Sequence, residues 1–179
     1  MYDRDDYFFF WKPHEIHGWG SQWFRSPFTV TVTIDEGGEP EEVTFPTAEH
    51  WMMFKKALLF KDAEMAREII GVKGVGSTDM AHVKSLGRKV SGFIEDTWVK
   101  ERERIVLEGN LHKFRQNEDL KEKLLATGDK VIVEASPRDR VWGVGFGEKN
   151  ALNQRDRWGL NLLGKVLEET RGVLREELR

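Results

Sequence analysis

Thr47-Ala48-Glu49-His50-Trp51-Met52-Met53-Phe54-Lys55-Lys56-Ala57 has the pattern of a helix that is apolar almost all round, yet it carries Glu49 and Lys56. At about 100° per residue, seven steps bring the chain nearly full circle. Carboxylate and ammonium therefore share one face, two turns apart, among Met52, Met53, Leu59 and Phe60. The opposite face, Trp51, Phe54 and Leu58, is apolar too. A helix apolar on two sides is normally buried, and ionised groups buried with it need a partner or a function. Two readings compete. In one, Thr47 is a cap, Glu49 is a first-turn acid favoured by the helix dipole, and Lys56 runs its stem to water. In the other, the pair is a reactive centre.

The rest of the chain fits a single domain, residues 1–179, with a real core. Its 179 residues are 39% hydrophobic, and five prolines are too few to mark a linker. No stretch approaches 18 apolar residues, and Met-Tyr-Asp-Arg-Asp-Asp offers no basic region ahead of an apolar run. A soluble, cytoplasmic protein with no membrane association is expected. The absence of cysteine excludes disulfides, thiolate metal sites and a cysteine nucleophile. Histidines 14, 17, 50, 82 and 112 form no ligand pair of the His-Glu-x-x-His kind, and Pro13 and Gly18 place His14 and His17 in a loop, so no metal site is expected. A net charge of −3 lacks the basic excess of a dedicated nucleic-acid binder but leaves local basic patches open.

Strands are expected at Tyr7 to Trp11, at the alternating run Phe28 to Ile34, at Glu42 to Phe45 after a Gly37-Gly38 turn, and at Val131 to Glu134. Beyond the opening helix, further helices are expected from Asp62 to Gly71, from Thr78 with interruptions at Gly87 and Gly92, and from Asp96 to Phe114. Others follow from an Asn117 cap to Leu125, and from Leu160 to Leu178. The run Lys100-Glu101-Arg102-Glu103-Arg104 reads as a solvated side. Gly71 to Ser77 resembles a phosphate-binding glycine loop but lacks the terminal Gly-Lys-Ser/Thr, and reads as a connector. The fold class is α+β, predominantly helical with a small antiparallel β component.

Chemistry is sought where packing explains residues poorly. Gly18 to Phe28 joins flat aromatics to short hydrogen-bonders and a cation in Ser21, Gln22, Trp23 and Arg25, a set suited to stacking on a base and holding a phosphate, or to pinning a loop. Asp139 follows Pro137 in a segment ending in Trp142-Gly143-Val144-Gly145, where glycines let a ligand approach the backbone; alone it is equally a turn former. Asn161 stands at the start of the last helix, where free amides can receive an anion or where it simply caps.

Together these segments resemble the NADAR family of YbiA-like proteins along nearly the whole chain. In order come Phe8-Phe9-Phe10-Trp11, Ser21-Gln22-Trp23 with Ser26-Pro27-Phe28, Glu49-His50-Trp51 with Lys56-Ala57, Gly87-Arg88-Lys89-Val90, and Lys113-Phe114 with Gln116-Asn117. Ser136-Pro137, Asp139, Trp142 to Gly145 and Gly159 to Gly164 complete the set. Each motif is weak alone, and their order is what carries the resemblance. The resemblance implies an N-glycosidase and places Glu49, Lys56, Trp98 and Asp139 at the active site, with Ser21 to Trp23 at its wall and Trp142 and Asn161 among the substrate-binding residues. Many relatives carry an Arg shortly before the tryptophan matching Trp98, whereas this chain reads Phe93-Ile94-Glu95-Asp96-Thr97-Trp98. Arg25 or Arg88 is therefore expected to supply the missing cation.

Breaking a ribosyl C–N bond builds positive charge at the anomeric carbon, which a carboxylate can stabilise while an acid protonates the leaving nitrogen. A lysine of lowered pKa can instead attack that carbon and open the sugar to a Schiff base. The working assignment gives Lys56 the nucleophilic or electrostatic role, Glu49 proton transfer, and Asp139 activation of water or orientation of the ribose. Trp23 and Trp98 are expected to stack on the base or ribose. No metal, redox cofactor or obligate protein partner is required. Three functions remain: an N-glycosidase acting on a ribosylaminopyrimidine phosphate of early riboflavin biosynthesis, a glycohydrolase removing ADP-ribose from guanine in DNA or RNA, and a non-catalytic ADP-ribose or NAD binding module.

Overall fold

Four short strands and seven α-helices carry the chain. In sequence order these are β1 Tyr7–Phe10, β2 Phe28–Val32, β3 Glu41–Phe45, α1 Ala48–Leu59, α2 Ala63–Gly71, α3 Ser77–Arg88, α4 Glu95–Gln116, α5 Glu118–Ala126, β4 Val131–Glu134, α6 Glu148–Ala151 and α7 Leu162–Glu177. The computed structural model describes all 179 residues. They form two compact units, one of Gln22–Asn117 and one of Met1–Ser21 with Glu118–Arg179.

The Gln22–Asn117 unit is organised around α1. The Thr47 hydroxyl accepts from the His50 amide at 3.2 Å and lies 2.8 Å from His50 Nδ1. His50 Nε2 donates to the Val72 carbonyl at 2.8 Å. That donation leaves Nδ1 as the acceptor for the Thr47 hydroxyl, so a fully buried imidazole satisfies both nitrogens while neutral. Trp51 packs against Phe45 at 5.1 Å between ring centroids and donates Nε1–H to the Ile105 carbonyl at 3.0 Å. Gly109 permits that approach, since a methyl group there would sit 2.5 Å from Trp51 Cδ1. β2 and β3 pair antiparallel from Phe28 opposite Phe45 to Val32 opposite Glu41, with Gly37 in the turn at φ 71°.

In the other unit β1 and β4 pair in parallel, Tyr7 opposite Val131 through Phe10 opposite Glu134. The β component is thus one antiparallel and one parallel pair, and the second departs from the antiparallel expectation. Phe9, Val133, Ala135, Val144 and Ala151 form a core here. Buried Leu163, Val166, Leu167 and Leu174 follow the expected helical spacing on α7.

Two local expectations change and one holds. Gly87 does not interrupt α3; its bare Cα lies against the Met53 thioether, which a side chain would strike. Gly71–Ser77 is a connector, as expected; its Gly76 amide donates to the Asp79 carboxylate at 3.1 Å, so an internal acid occupies the helix start. Asn117 donates to the Pro27 and Lys113 carbonyls instead of capping α5 through its oxygen. No helix is long and apolar enough to cross a membrane.

Candidate active site

Lys56 is where the Gln22–Asn117 unit concentrates its unusual chemistry. Its Nζ lies 4.7 Å from the Phe93 ring centroid and 5.2 Å from that of Trp98. Aromatic faces favour a cation yet exclude the water that would solvate it. Burial holds the Lys56 pKa below the ordinary lysine value; Glu49 opposes this by Coulomb attraction, and the Arg88 charge adds to the lowering. A larger share of neutral amine follows, and with it nucleophilicity.

Glu49, buried in the first turn of α1, donates its backbone amide to the Gln22 carbonyl at 3.0 Å. This contact pins Gln22 to the helix that carries both Glu49 and Lys56. The Gln22 side chain, also buried, accepts at Oε1 from Asn110 Nδ2 at 3.0 Å, and Asn110 Nδ2 donates as well to the Val106 carbonyl at 2.9 Å. Gln22 Nε2 and Asn110 Oδ1 remain buried without a partner, one donor and one acceptor. Buried polar atoms are rarely left so. Trp23 is half-buried, while Arg25 and Arg88 are exposed. Of the sequence-predicted residues, this unit thus groups Glu49, Lys56, Trp98 and Arg88, with Gln22 tied directly to Glu49.

Ser21, Asp139, Trp142 and Asn161 belong to the other unit. Ser21 is buried, and Trp142 is half-buried. Asp139 is half-buried, and its Oδ1 accepts from the Val141 amide at 2.9 Å and the Trp142 amide at 2.8 Å, so the carboxylate shapes its own turn. Asn161, at φ 52°, lays its side chain on β4, Oδ1 accepting from the Glu134 amide at 3.1 Å and Nδ2 donating to the Ile132 carbonyl at 2.9 Å. The amides of Asn161, Leu162 and Leu163 donate to the carbonyls of Gly143, Val141 and Trp142. This corrects the anion-binding reading of the helix start: the 141–143 turn already takes those donors, and Asn161 splices that turn to β4. An open cavity of about 440 Å³ in the same unit, lined by Phe8, His17, Trp19, Lys123 and Lys130 among others, holds none of the predicted site residues.

Sequence reading missed Asn110 and Lys113 as site candidates. Lys113 is fully buried, its Nζ 5.1 Å from the Phe114 ring and 5.9 Å from Phe24. Burial alone pulls its pKa down to about 7. The available signal was helical phase, since Lys113 lies two turns from Val106 on the apolar side.

Comparison with known proteins places this geometry in context. A profile of the NADAR domain matches residues 9–175. The chain is 42% identical over 153 residues to an N-glycosidase of Acanthamoeba polyphaga mimivirus, covering 84% of each sequence. It is 27% identical over 168 residues to a riboflavin biosynthesis protein of Vibrio vulnificus, covering 94% of this chain and 38% of that one. The NMR structure of the E. coli protein YbiA superposes with a TM-score of 0.68 at 25% identity, over 99% of this chain and 89% of that one.

Proposed function

The chain belongs to the NADAR family, and on that premise we propose that it is an N-glycosidase that releases the base from a ribosylaminopyrimidine phosphate. As a hydrolase of N-glycosyl bonds it has the activity named for its mimivirus relative, and the Vibrio vulnificus riboflavin protein favours a pyrimidine intermediate as substrate.

The observation that carries the reading is Lys56, whose Nζ faces two aromatic rings with its pKa lowered by burial and the Glu49 carboxylate on the same helix face. In the proposed sequence Lys56 passes its proton to Glu49, the neutral amine attacks the anomeric carbon, the C–N bond to the base breaks, and its electron pair stays with the leaving nitrogen, which takes that proton from Glu49. The Glu49 carboxylate then takes a proton from the substituted Lys56 ammonium and passes it to the ring oxygen as the ribose ring opens, which leaves a Schiff base. Water adds to it, restoring the Lys56 amine and releasing ribose phosphate. Trp98 supplies a flat apolar face for the sugar or base.

Purified protein is incubated separately with a ribosylaminopyrimidine phosphate and with an oligonucleotide carrying ADP-ribosylated guanine, and the products are followed by mass spectrometry. Free aminopyrimidine and ribose phosphate are expected from the first. Release of ADP-ribose from the oligonucleotide alone overturns the substrate assignment, and turnover of neither overturns the activity.

A further inference from the structure

Helix α4 contains one cation that its own sequence surroundings do not account for. With Ile105 as origin and about 100° per residue, Trp98, Gly109, Arg102, Lys113, Val106 and Asn110 follow one another across an arc of roughly 140°. Ile105, Val106, Gly109, Asn110 and Lys113 are all buried, and the Trp51 ring against Gly109 fixes this arc as the side facing α1. Arg102 falls near its middle, one turn from the Trp98 ring that lies beside Lys56.

The Arg102 Nε is buried and has no hydrogen-bond partner. Acids stand beside it in sequence, but Glu101 and Glu108 pair with Arg104, at 2.7 Å and 2.8 Å. Arg104 keeps to the wet side of the helix, while Arg102 is half-buried with its Nε out of reach of water. No ion pair to an acid of this chain holds Arg102, so its charge is available to an incoming oxyanion, and its fork of N–H donors matches a phosphate bidentately. Arg25 and Arg88 are exposed, so neither is committed in the same way to an enclosed anion.

We propose that Arg102 is the residue that grips the phosphate ester of the ribosyl substrate, in place of Arg25 or Arg88. This inference rests on the ribosyl phosphate reading above. Arg102 escapes notice in sequence because it sits inside Lys100-Glu101-Arg102-Glu103-Arg104, a run whose composition reads as surface while helical phase separates its third member from the rest.

The test is binding of ribose 5-phosphate and of ribose to the full-length protein, followed by calorimetry, in wild type, Arg102→Gln and Arg102→Lys, with melting temperatures recorded for all three. Wild type is expected to bind ribose 5-phosphate at least tenfold more tightly than Arg102→Gln, with Arg102→Lys between them, because ammonium keeps the charge and loses the fork. Unphosphorylated ribose is expected to show no such difference. Equal binding of ribose 5-phosphate by wild type and Arg102→Gln, or no binding by wild type, overturns the proposal. So does an equal loss for both sugars with a lowered melting temperature, which makes Arg102 structural. Failure of base release with either nucleotide substrate sinks the proposed activity while the sugar titration still decides Arg102.

Discussion

Two lysines in one unit are desolvated in different ways, and the proposed mechanism draws on the less buried of the two. Lys56 is half-buried, near two aromatic rings and on the same helix face as a carboxylate. Lys113 is fully buried. Lys56→Ala and Glu49→Gln are each expected to lower turnover at least about a hundredfold, the low end of what a positioned acid or base contributes, while circular dichroism stays native. Borohydride added during turnover should trap a sugar on Lys56; turnover without any adduct would move the mechanism to carboxylate stabilisation of the oxocarbenium ion. Asp139 calls for a different substitution, because its Oδ1 holds the turn amides of Val141 and Trp142. Asn retains an acceptor oxygen and removes only the charge. Asp139→Asn is expected to melt within about 2 °C of wild type, since the two turn hydrogen bonds survive, and to lose at least tenfold in turnover. Native turnover would leave Asp139 as a turn former only.

At the level of elements, the legible parts are those whose signal is local. The Thr47 cap, the 3.6-residue apolar pattern of α1 and the Gly37-Gly38 turn all formed where sequence placed them, because cap, period and turn act over a few residues. The parallel pairing of β1 with β4 was not legible: two four-residue runs more than a hundred residues apart carry no mark of their partner or direction. Glycine shows the same divide. Gly87 reads as a helix breaker in isolation, and only packing shows that it makes room for Met53. Gly109 does the same for Trp51, whose ring and Nε1–H hold α1 against α4. Gly109→Ala therefore overpacks that contact and is expected to cost about 1–3 kcal/mol, lowering the melting temperature by roughly 2–10 °C. Gly71 supplies the control, because a Cβ there meets nothing within 4 Å. Gly71→Ala is expected to leave the melting temperature unchanged or slightly raised, through reduced freedom of the unfolded chain. Equal effects of the two substitutions would mean that helix propensity, not the Trp51 contact, governs both.

For the molecule as a whole, the buried bases set how stability responds to pH. His50 and Lys113 both have their pKa values lowered by burial, so the folded state binds fewer protons than the unfolded state between each folded value and the ordinary one. For His50 the stabilisation is present above its unfolded pKa of about 6.5 and is lost as pH falls below it. For Lys113 the window runs from about 7 up to its ordinary value of 10.5. Across it the unfolded chain holds a proton that the folded chain has released, and stability rises with pH. A fully populated difference of one proton changes stability by about 1.4 kcal/mol per pH unit. Chemical denaturation of wild type at pH 6, 7, 8 and 9 is expected to show stability increasing through neutrality, with a marked part of the rise between pH 7 and 9. Lys113→Met removes the titrating group while keeping a flexible apolar stem of similar length, so the difference in stability between wild type and variant should shift steadily in favour of wild type over that interval. The slope is the informative quantity, because the absolute stability also changes through whatever Lys113 touches. A difference that stays flat from pH 7 to 9 would mean that Lys113 keeps its proton in the folded protein, and that its surroundings stabilise an ammonium ion strongly enough to cancel the cost of burial.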